Sequence, residues 1–329
     1  MKAIRMRQPG GPEVLELATA EPPETGPTDV QVAVELAAVN FGDVNARRAT
    51  YAGRGIAFQR GLGLEVYGRV TETGAQVSGF QPGDRVAGFC RTDGYAELAA
   101  CDQRLLWRVP DDIPDEQAAA FPIVGQTAYH LLHSAARLRG GDSVLITAAA
   151  GGVGTAAVQV ARLLGAGLIV AAASSAQRAR SALPLGADAA ISYYGPEELK
   201  GNLAAAAGTP TVAVALDAVG GAVRAQALDC LAPFGRLIQY GNSSGGAEHL
   251  PDARSLRDRL VSVGGVRLAQ VRSGAPELLR DSGDRLLGWL GQGRLRLPIA
   301  AVLPLADAAE AHRRLESRQV VGKLLLATR

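Results

Sequence analysis

The stretch that decides the fold is Ser143-Val144-Leu145-Ile146-Thr147-Ala148-Ala149-Ala150-Gly151-Gly152-Val153-Gly154. It starts with a short apolar run, which is typical of a strand buried on both faces of a parallel sheet. A glycine-rich turn follows, and residues 152–164 then have a helical pattern. A strand, a glycine turn and a helix in this order are the context of a dinucleotide-binding loop.

The loop aligns with the G-x-G-x-x-G fingerprint. Ala149 takes the first position, Gly151 the second and Gly154 the third. Glycine at the second position lets the backbone approach a pyrophosphate, and glycine at the third lets the helix pack closely on the strand. Alanine at the first position departs from the plainest form of the motif. The flanking strand and helix nevertheless favour a dinucleotide site over a purely structural turn.

Strands and helices alternate beyond this loop. The pattern predicts strands over residues 168–172, 188–192, 212–216 and 235–240, with helices over 177–185, 196–207 and 222–231. Alternation of this kind predicts a parallel, doubly wound α/β sheet, the Rossmann architecture.

The first third of the chain has a β-rich pattern instead. Val30–Leu36 alternates with period two, and Pro82-Gly83-Asp84 is a turn between short strands predicted over 68–72 and 84–88. Short strands with glycine and proline turns are typical of a small barrel-like unit. Helical patterns follow over 115–120 and 125–136, and the chain returns to short mixed elements after about Leu256.

The pattern therefore predicts a Rossmann sheet inserted into a β-rich domain. We expect the Rossmann domain to span residues 123–257, and the flanks, residues 1–122 and 258–329, to form one discontinuous domain.

The end of the second Rossmann strand indicates which dinucleotide binds. NAD sites usually place an Asp or Glu about 20 residues beyond the loop, where it binds the ribose 2′-OH. This chain has no acidic residue between Asp142 and Asp188. Ser174 can donate a hydrogen bond there and Arg178 can pair with a 2′-phosphate, whereas Arg180 is interpreted as part of a solvated helix face. The pattern favours NADPH over NADH.

Composition excludes several classes of partner. The 34 Lys and Arg residues against 32 Asp and Glu give a formal charge of +2, so we expect no nucleic-acid partner and no attraction to an anionic membrane. No apolar run approaches the ~18 residues of a membrane span, and the N-terminus lacks the features of a signal peptide. Three widely spaced cysteines, an odd number, predict free thiols. We expect a cytoplasmic protein.

Seven segments, in their order and spacing, resemble the zinc-free quinone oxidoreductase branch (the zeta-crystallin-like group) of the medium-chain dehydrogenase/reductase superfamily. Beside the cofactor loop they are Val39-Asn40-Phe41-Gly42-Asp43, Gly63-Leu64-Glu65-Val66-Tyr67-Gly68, Pro82-Gly83-Asp84-Arg85-Val86, Gly94-Tyr95-Ala96-Glu97, Asp217-Ala218-Val219-Gly220 and Tyr240-Gly241-Asn242-Ser243-Ser244-Gly245. The resemblance covers nearly the whole chain. It implies a GroES-like catalytic domain, a nicotinamide bound in a cleft between the domains, and a homodimer built partly through the Rossmann sheets.

The resemblance also implies a set of site residues. They are Asn40 and Thr127 by the nicotinamide and substrate, Gly152 and Val153 by the pyrophosphate, Ser174, Arg178 and Tyr193 around the adenosine 2′-phosphate, and Gly241, Asn242 and Lys323 elsewhere on the cofactor.

Two zinc-ligand positions of the zinc-dependent relatives are changed in this chain. Those relatives place a Cys in the early loop and a His in a Gly-His-Glu motif, where this chain has Asn40 and Leu64. Zinc requires thiolate, imidazole or carboxylate ligands. His130 and His133 have the i, i+3 spacing of one helix face, but no third ligand is evident. We expect no metal site and a structural role for Glu65.

These residues favour hydride transfer to an acceptor that is already electrophilic. Without ligands for a Lewis-acid metal to stabilise an alkoxide, simple alcohol oxidation is disfavoured, whereas quinones and α,β-unsaturated carbonyls accept hydride directly. Tyr51 is a candidate proton donor, or alternatively only lines the pocket. Asn40 is expected to orient the nicotinamide ribose or the substrate, and Asp43 to stabilise its own loop.

Three functions stay open. The first is NADPH-dependent quinone reduction. The second is reduction of an enone or enoyl thioester, as in the enoyl reductase units of polyketide synthesis that share this scaffold. The third is an NADPH-bound scaffold or nucleic-acid binder with little turnover, and the near-neutral charge disfavours its nucleic-acid form.

Overall fold

The computed structural model describes residues 1–50, 61–91, 93–194, 199–247 and 251–328. The chain forms two compact units, one of Met1–Ile123 with Val271–Arg329 and one of Val124–Gln270. Tyr51, the candidate proton donor, lies outside the described residues. Within the described ranges, no helix is long and apolar enough to span a membrane.

The strands and helices are numbered in chain order. The strands are β1 (Lys2–Arg5), β2 (Glu16–Thr19), β3 (Asp29–Val39), β4 (Glu65–Thr73), β5 (Arg85–Cys90), β6 (Leu98–Arg108), β7 (Ser143–Ile146), β8 (Leu168–Ala173), β9 (Ala189–Ser192), β10 (Val212–Asp217), β11 (Leu231–Gln239), β12 (Ser262–Gly265), β13 (Ile299–Pro304) and β14 (Lys323–Ala327). The helices are α1 (Phe41–Arg47), α2 (Asp115–Tyr129), α3 (Gly152–Leu163), α4 (Ala176–Arg180), α5 (Leu199–Ala207), α6 (Gly221–Asp229), α7 (Ala253–Arg259), α8 (Leu268–Gly274), α9 (Pro276–Gly291) and α10 (Ala308–Glu316). Helix α2 continues as a π-helical segment over His130–Ala135.

The unit Val124–Gln270 is built on a parallel sheet with the strand order β12-β11-β10-β7-β8-β9. If β7 to β12 are renumbered 1 to 6, the order read from β9 to β12 is 3-2-1-4-5-6. This is the strand order of a doubly wound dinucleotide-binding sheet. The predicted parallel sheet is confirmed. Its strand order reverses between β7 and β10, so the loops that follow these strands lie where such sheets bind ligands.

Strand β12 was not predicted from the sequence. Its residues, Ser262-Val263-Gly264-Gly265, contain no apolar run, and glycine has a low propensity for strands. It pairs in parallel with β11 at the edge of the sheet, from Arg236 opposite Ser262 to Gln239 opposite Gly265. The neighbouring strand therefore decides this conformation.

The two helices predicted over 115–120 and 125–136 form one helix, α2, that runs through Pro122. Proline removes a helical hydrogen bond and usually ends or kinks a helix. In this chain the N–H of Ile123, in the turn after Pro122, donates to Glu65 Oε2 at 2.6 Å. A carboxylate from another element thus binds a backbone group in the turn that the proline disturbs.

The unit Met1–Ile123 with Val271–Arg329 is a β-rich structure. Strands β3, β4, β5 and β6 pair successively in antiparallel fashion, and β6 pairs back with the first half of β3, so that a small barrel closes. The second half of β3 pairs with β14, which pairs in parallel with β13. Val32, Val66, Val86 and Leu106 are among the buried apolar side chains of its core.

The register of these strands brings three distant residues to one edge. Val39, at the end of β3, lies opposite Leu324 of β14, and Ala37 lies opposite Val66 of β4. The end of β3 and the beginnings of β4 and β14 therefore lie side by side. Asn40, Glu65 and Lys323 stand at these strand ends.

Helix α9 packs against β6 through a glycine. The indole of Trp107 is in edge-to-face contact with Phe89 and Phe121, with ring centroids 6.0 and 5.8 Å apart. A Cβ atom built on Gly283 of α9 would overlap that indole. Gly288, on the same helix, is exposed, and a Cβ atom there would meet nothing within 4 Å.

Gly283→Ala should lower the free energy of unfolding by about 2 kcal/mol, because the added methyl group must displace a packed ring. Gly288→Ala is the matched control and should raise it by about 0.5–1 kcal/mol through helix propensity. Urea unfolding followed by circular dichroism measures both. Equal changes in the two variants would contradict this packing.

Candidate functional site

A buried polar cluster lies at the strand ends; we call Asn40, Glu65 and Lys323 the strand-end cluster. The Lys323 ammonium donates to the carbonyl of Val39 at 3.0 Å, to Asn40 Oδ1 at 2.8 Å and to Glu65 Oε1 at 2.9 Å. An ammonium group has three donors, so all three are satisfied by protein atoms. Lys323 is 3% exposed and Glu65 is 0% exposed. Each buried charge therefore compensates the other.

Asn40 is held by both its side chain and its backbone. Its Nδ2 donates to the carbonyl of Ala38 at 3.1 Å and to Glu65 Oε1 at 2.9 Å. Its Oδ1 accepts from Lys323, which fixes the orientation of the amide because an ammonium can only donate. Its backbone N–H donates to Asp43 Oδ2 at 2.9 Å, at the beginning of α1. The role expected of Asn40 beside a nicotinamide stays a prediction.

Asp43 connects two loops. Its carboxylate accepts from the backbone N–H of Asn40, from that of Gly63 at 3.1 Å, and from the Tyr95 hydroxyl at 3.2 Å. Burial raises the pKa of Asp43 to about 6, although these hydrogen bonds act in the opposite direction. The prediction that Asp43 stabilises its own loop is confirmed, and through Gly63 it also holds the segment that leads to Glu65.

The predicted dinucleotide loop has the backbone that the fingerprint requires. Ala148 adopts a left-handed conformation with φ of 51°. The N–H of Gly151 donates to the carbonyl of Ala148 at 2.9 Å, and that of Ala149 donates to the carbonyl of Ala172 at 3.0 Å. A Cβ atom on Gly154 would overlap the backbone of Ala148 and Ala149. The close contact between helix and strand therefore requires glycine at the third position.

Gly151 is different, because the protein itself leaves room there. A Cβ atom on Gly151 would approach only the carbonyl oxygen of Ala148, at 3.4 Å, which is ordinary contact. The first-turn N–H groups of α3, which include those of Gly152 and Val153, have no acceptor within the helix. Free amides and open space at a helix N-terminus fit a pyrophosphate.

Ser174 and Tyr193 follow the carboxyl ends of the neighbouring strands β8 and β9, and Arg178 lies on α4. We call these three residues the β8–β9 cluster. The N–H of Tyr193 donates to the carbonyl of Ala173, the residue before Ser174, at 3.0 Å. The Ser175 hydroxyl caps α4 by accepting from the N–H of Arg178 at 3.3 Å. Burial lowers the pKa of Arg178, and its electrostatic interaction with Tyr193 acts in the opposite direction. The structure therefore brings these three predicted residues together.

A buried ion pair connects the loops after β7, β10 and β11. Asp217, at the end of β10, accepts from the Thr147 hydroxyl and from Arg224 Nε, both at 2.9 Å. Arg224 Nη2 donates to the carbonyl of Gly241 at 2.6 Å. Asp217 and Arg224 are 0% and 2% exposed. This role was not predicted from the sequence, although a carboxylate at the end of a buried apolar strand is a signal for it.

The remaining predicted residues lie in both units. Asn242 shapes the loop after β11, since its Nδ2 donates to the carbonyl of Gly246 at 2.9 Å and its Oδ1 accepts from Ser244 at 3.1 Å. Thr127 is a buried residue of α2, 7% exposed. His130 contacts Ser134, at 2.8 Å between Nδ1 and Oγ. In the part of the chain that the structure describes, no group of three or more His, Cys, Asp or Glu could hold a metal ion.

Comparison with known proteins identifies the family. Residues 26–111 match the family described as alcohol dehydrogenase GroES-like domain, and residues 185–326 match that described as zinc-binding dehydrogenase. The quinone oxidoreductase of Pseudomonas aeruginosa is 36% identical over 99% of this chain and 99% of its own length. The chain belongs to the quinone oxidoreductase family. The resemblance inferred from the sequence and the GroES-like and Rossmann architecture are confirmed.

Two further relatives illustrate the range of this family. The crystal structure of Escherichia coli quinone oxidoreductase complexed with NADPH has a TM-score of 0.89 and 31% identity, and covers 99% of this chain and 100% of that chain. A mycocerosic acid synthase-like polyketide synthase of Mycobacterium tuberculosis is 33% identical over 98% of this chain but only 15% of its own length. The same fold therefore occurs alone and as part of a much longer protein.

Lys323→Met should lower the free energy of unfolding by about 3 kcal/mol, because Glu65 would keep a buried charge without its ionic partner. Combining it with Glu65→Gln should recover at least half of that loss, since no unpaired charge remains. Chemical denaturation of the wild type, both single variants and the double variant completes a double-mutant cycle. Additive losses would contradict the pairing.

Proposed function

We propose that this protein is an oxidoreductase that reduces quinones with NADPH. Quinone reduction is the activity after which the quinone oxidoreductases it resembles are named. The observation that carries the choice of cofactor is the β8–β9 cluster. Ser174, Arg178 and Tyr193 meet at the carboxyl end of the second Rossmann strand, and the segment between Asp142 and Asp188 contributes no carboxylate. A guanidinium beside two hydroxyl-bearing residues, after a strand and loop whose sequence has no acid where NAD sites usually place one, favours a 2′-phosphate.

The residues present along the sheet edge fit NADPH. The space at Gly151 and the first-turn amides of α3 suit the pyrophosphate, and the Arg178 guanidinium suits the 2′-phosphate. We assign to cofactor binding in this unit Ala149, Gly151, Gly152, Val153, Gly154, Ser174, Arg178, Tyr193, Gly241 and Asn242. The assignment of residues 123–257 as the cofactor domain, and of residues 1–122 and 258–329 as the catalytic domain, is part of this proposal.

When bound, NADPH supplies a hydride from its nicotinamide ring. We propose that Asn40 orients the nicotinamide or the acceptor. Both N–H groups of its amide are bonded to Ala38 and Glu65, and its Oδ1 already accepts from Lys323. The second lone pair of Oδ1 is therefore a preorganised acceptor for a ribose hydroxyl or an amide N–H. In this proposal Lys323 holds the Asn40 amide in place. It is also assigned to cofactor binding, as the resemblance implies. Thr127 is assigned as a hydrogen-bonding residue, and Tyr51 as a proton donor or a wall of the pocket.

The acceptor is tested by measuring NADPH oxidation with a matched panel of quinones, enals and enoyl thioesters. We expect turnover with quinones. The match to a polyketide synthase supports a second candidate, reduction of an enone or enoyl thioester, and turnover of enoyl thioesters alone would replace the first candidate by the second. Tight NADPH binding without turnover of any acceptor would favour a scaffold instead.

Arg178→Ala should raise the Kd for NADPH by about 10- to 100-fold, because a charge-assisted pair with the 2′-phosphate is lost. The Kd for NADH should change by less than about twofold, since NADH lacks that phosphate. Arg180→Ala, on the exposed face of the same helix, is the matched control and should change neither value. Isothermal titration calorimetry measures these four Kd values, two dinucleotides for each of the two variants, against those of the wild type. Equal weakening of NADPH and NADH binding by Arg178→Ala would refute this role.

We also propose that the protein is a homodimer. In the described residues, β12 has a neighbouring strand on one side only, and such an edge can pair with a second copy. Near this edge, Phe234 is 77% and Leu260 is 49% exposed, and the two are joined by a backbone hydrogen bond of 2.6 Å. Light scattering should give twice the mass of the chain, and Phe234→Asp should shift it towards one chain. A monomeric wild type would disprove the proposal.

We place the protein in the cytoplasm. Cys90, Cys101 and Cys230 are free and buried, and unpaired thiols suit a reducing compartment. Cell fractionation tests this location; a pool in the membrane or outside the cell would contradict it.

A further inference from the structure

A chain of buried hydrogen bonds runs from helix α10 to Asn40. His312, on α10, has its Nε2 3.3 Å from Tyr95 Oη, which lies 3.2 Å from Asp43 Oδ2. Asp43 in turn accepts from the backbone N–H of Asn40 at 2.9 Å. His312 and Tyr95 are 0% exposed, and Asp43 is 1% exposed. The chain therefore connects a helix near the C-terminus with a residue of the strand-end cluster.

Arg47 fixes the direction of each donor in this chain. Its Nη1 lies 3.1 Å from His312 Nδ1, and a guanidinium can only donate. His312 Nδ1 must therefore accept, and the imidazole proton is on Nε2, from which it is donated to Tyr95. The Tyr95 hydroxyl proton is then available to Asp43. Arg47 is itself paired with Glu316 at 2.6 Å.

The position of this chain argues against a role in packing alone. Buried polar groups lose hydration, and apolar side chains of similar volume are often as stable or more so. Here, however, the polar groups end on a carboxylate that binds the backbone of Asn40 and of Gly63. The Asp43 carboxylate thus fixes the positions of the two segments that carry Asn40 and Glu65.

We propose that Asp43, Tyr95 and His312 are positioning residues for the reduction. His312 orients Tyr95, Tyr95 holds the Asp43 carboxylate, and this carboxylate holds Asn40 where it meets the nicotinamide and the acceptor. They act through Asn40 and not on the reacting atoms. The inference rests on the proposed function, because it assigns to Asn40 the role given there.

The electrostatic surroundings of Asp43 give this proposal a pH dependence. Among the described residues, the groups that face Asp43 are Lys323 of β14, Cys90 of β5 and Tyr95. Glu65 and His312 face Tyr95, and Arg47 faces His312. Burial raises the pKa of Asp43 to about 6. Burial also raises the pKa of the Tyr95 hydroxyl and that of the Cys90 thiol well above their ordinary values, so both groups stay neutral.

His312 stays neutral as well, because burial and the neighbouring Arg47 lower its pKa to about 3. Among the groups of this hydrogen-bond chain, Asp43 is therefore the one that titrates near pH 6. The ionised carboxylate accepts the three hydrogen bonds, and protonation weakens them. Activity should accordingly fall as the pH falls through about 6.

Tyr95→Phe tests the chain through the pH profile. The Tyr95 hydrogen bond lowers the pKa of Asp43, so its loss should move the acid limb of kcat/KM for 1,4-naphthoquinone, at saturating NADPH, upward by about 0.5–1 pH unit. Tyr67→Phe is the matched control. It removes the hydroxyl of another buried tyrosine, which donates to Asp115 at 2.5 Å, and should leave the limb at its wild-type pH.

Two variants of His312 test the direction of the hydrogen bonds. Gln can accept from Arg47 and donate to Tyr95, so His312→Gln should keep kcat within about twofold of the wild type. His312→Met fills a similar volume without either bond and should lower kcat by about tenfold, because Asn40 is no longer held in place. The Kd for NADPH should stay within about twofold in both variants, which separates positioning from loss of the cofactor site.

The outcomes separate this inference from the proposed function. The inference is supported if the acid limb of kcat/KM shifts in Tyr95→Phe but not in Tyr67→Phe, and if His312→Gln keeps the kcat that His312→Met loses. If the wild type reduces the quinone but the two tyrosine variants share its acid limb, or His312→Met matches His312→Gln, the inference is overturned and the proposed function stands. A wild type that turns over no acceptor overturns both.

Discussion

The ion pair between Lys323 and Glu65 is the interaction on which the β-rich unit depends. Its two residues are separated by 258 positions in the chain and meet where β14 and β4 begin, on either side of the end of β3. A buried charge is tolerated only with a partner. The pair therefore ties the last strand to the first part of the chain, beside the pairing of β14 with β3. In this way it joins the two separate segments of the unit.

The same physical solution occurs in the Rossmann unit. Asp217 and Arg224 form a buried ion pair whose remaining hydrogen bonds reach Thr147 and Gly241. Three loops at the carboxyl ends of the strands are thus held by one pair of charges. Loops that bind a ligand must keep their shape without a continuous ladder of backbone hydrogen bonds, and buried, fully paired side chains supply that rigidity.

In the strand-end cluster, Asn40 takes the position at which, according to the resemblance, zinc-dependent relatives carry a cysteine ligand. Its two N–H groups and its Oδ1 are bonded within the protein, to Ala38, Glu65 and Lys323. The second lone pair of Oδ1 is therefore a fixed, uncharged hydrogen-bond acceptor. The polar chain through Asp43 and Tyr95 then connects the geometry of this amide with the packing of α10.

The sequence by itself determined the local parts of this protein: the strand, turn and helix around Gly151, the glycine required at position 154, and the missing carboxylate beyond β8. Each follows from rules that act over a few residues. Only the tertiary structure decided the pairing of Lys323 with Glu65, the edge strand β12, and the uninterrupted helix at Pro122. These depend on partners far away in the chain, and a single sequence carries no record of which distant residues meet.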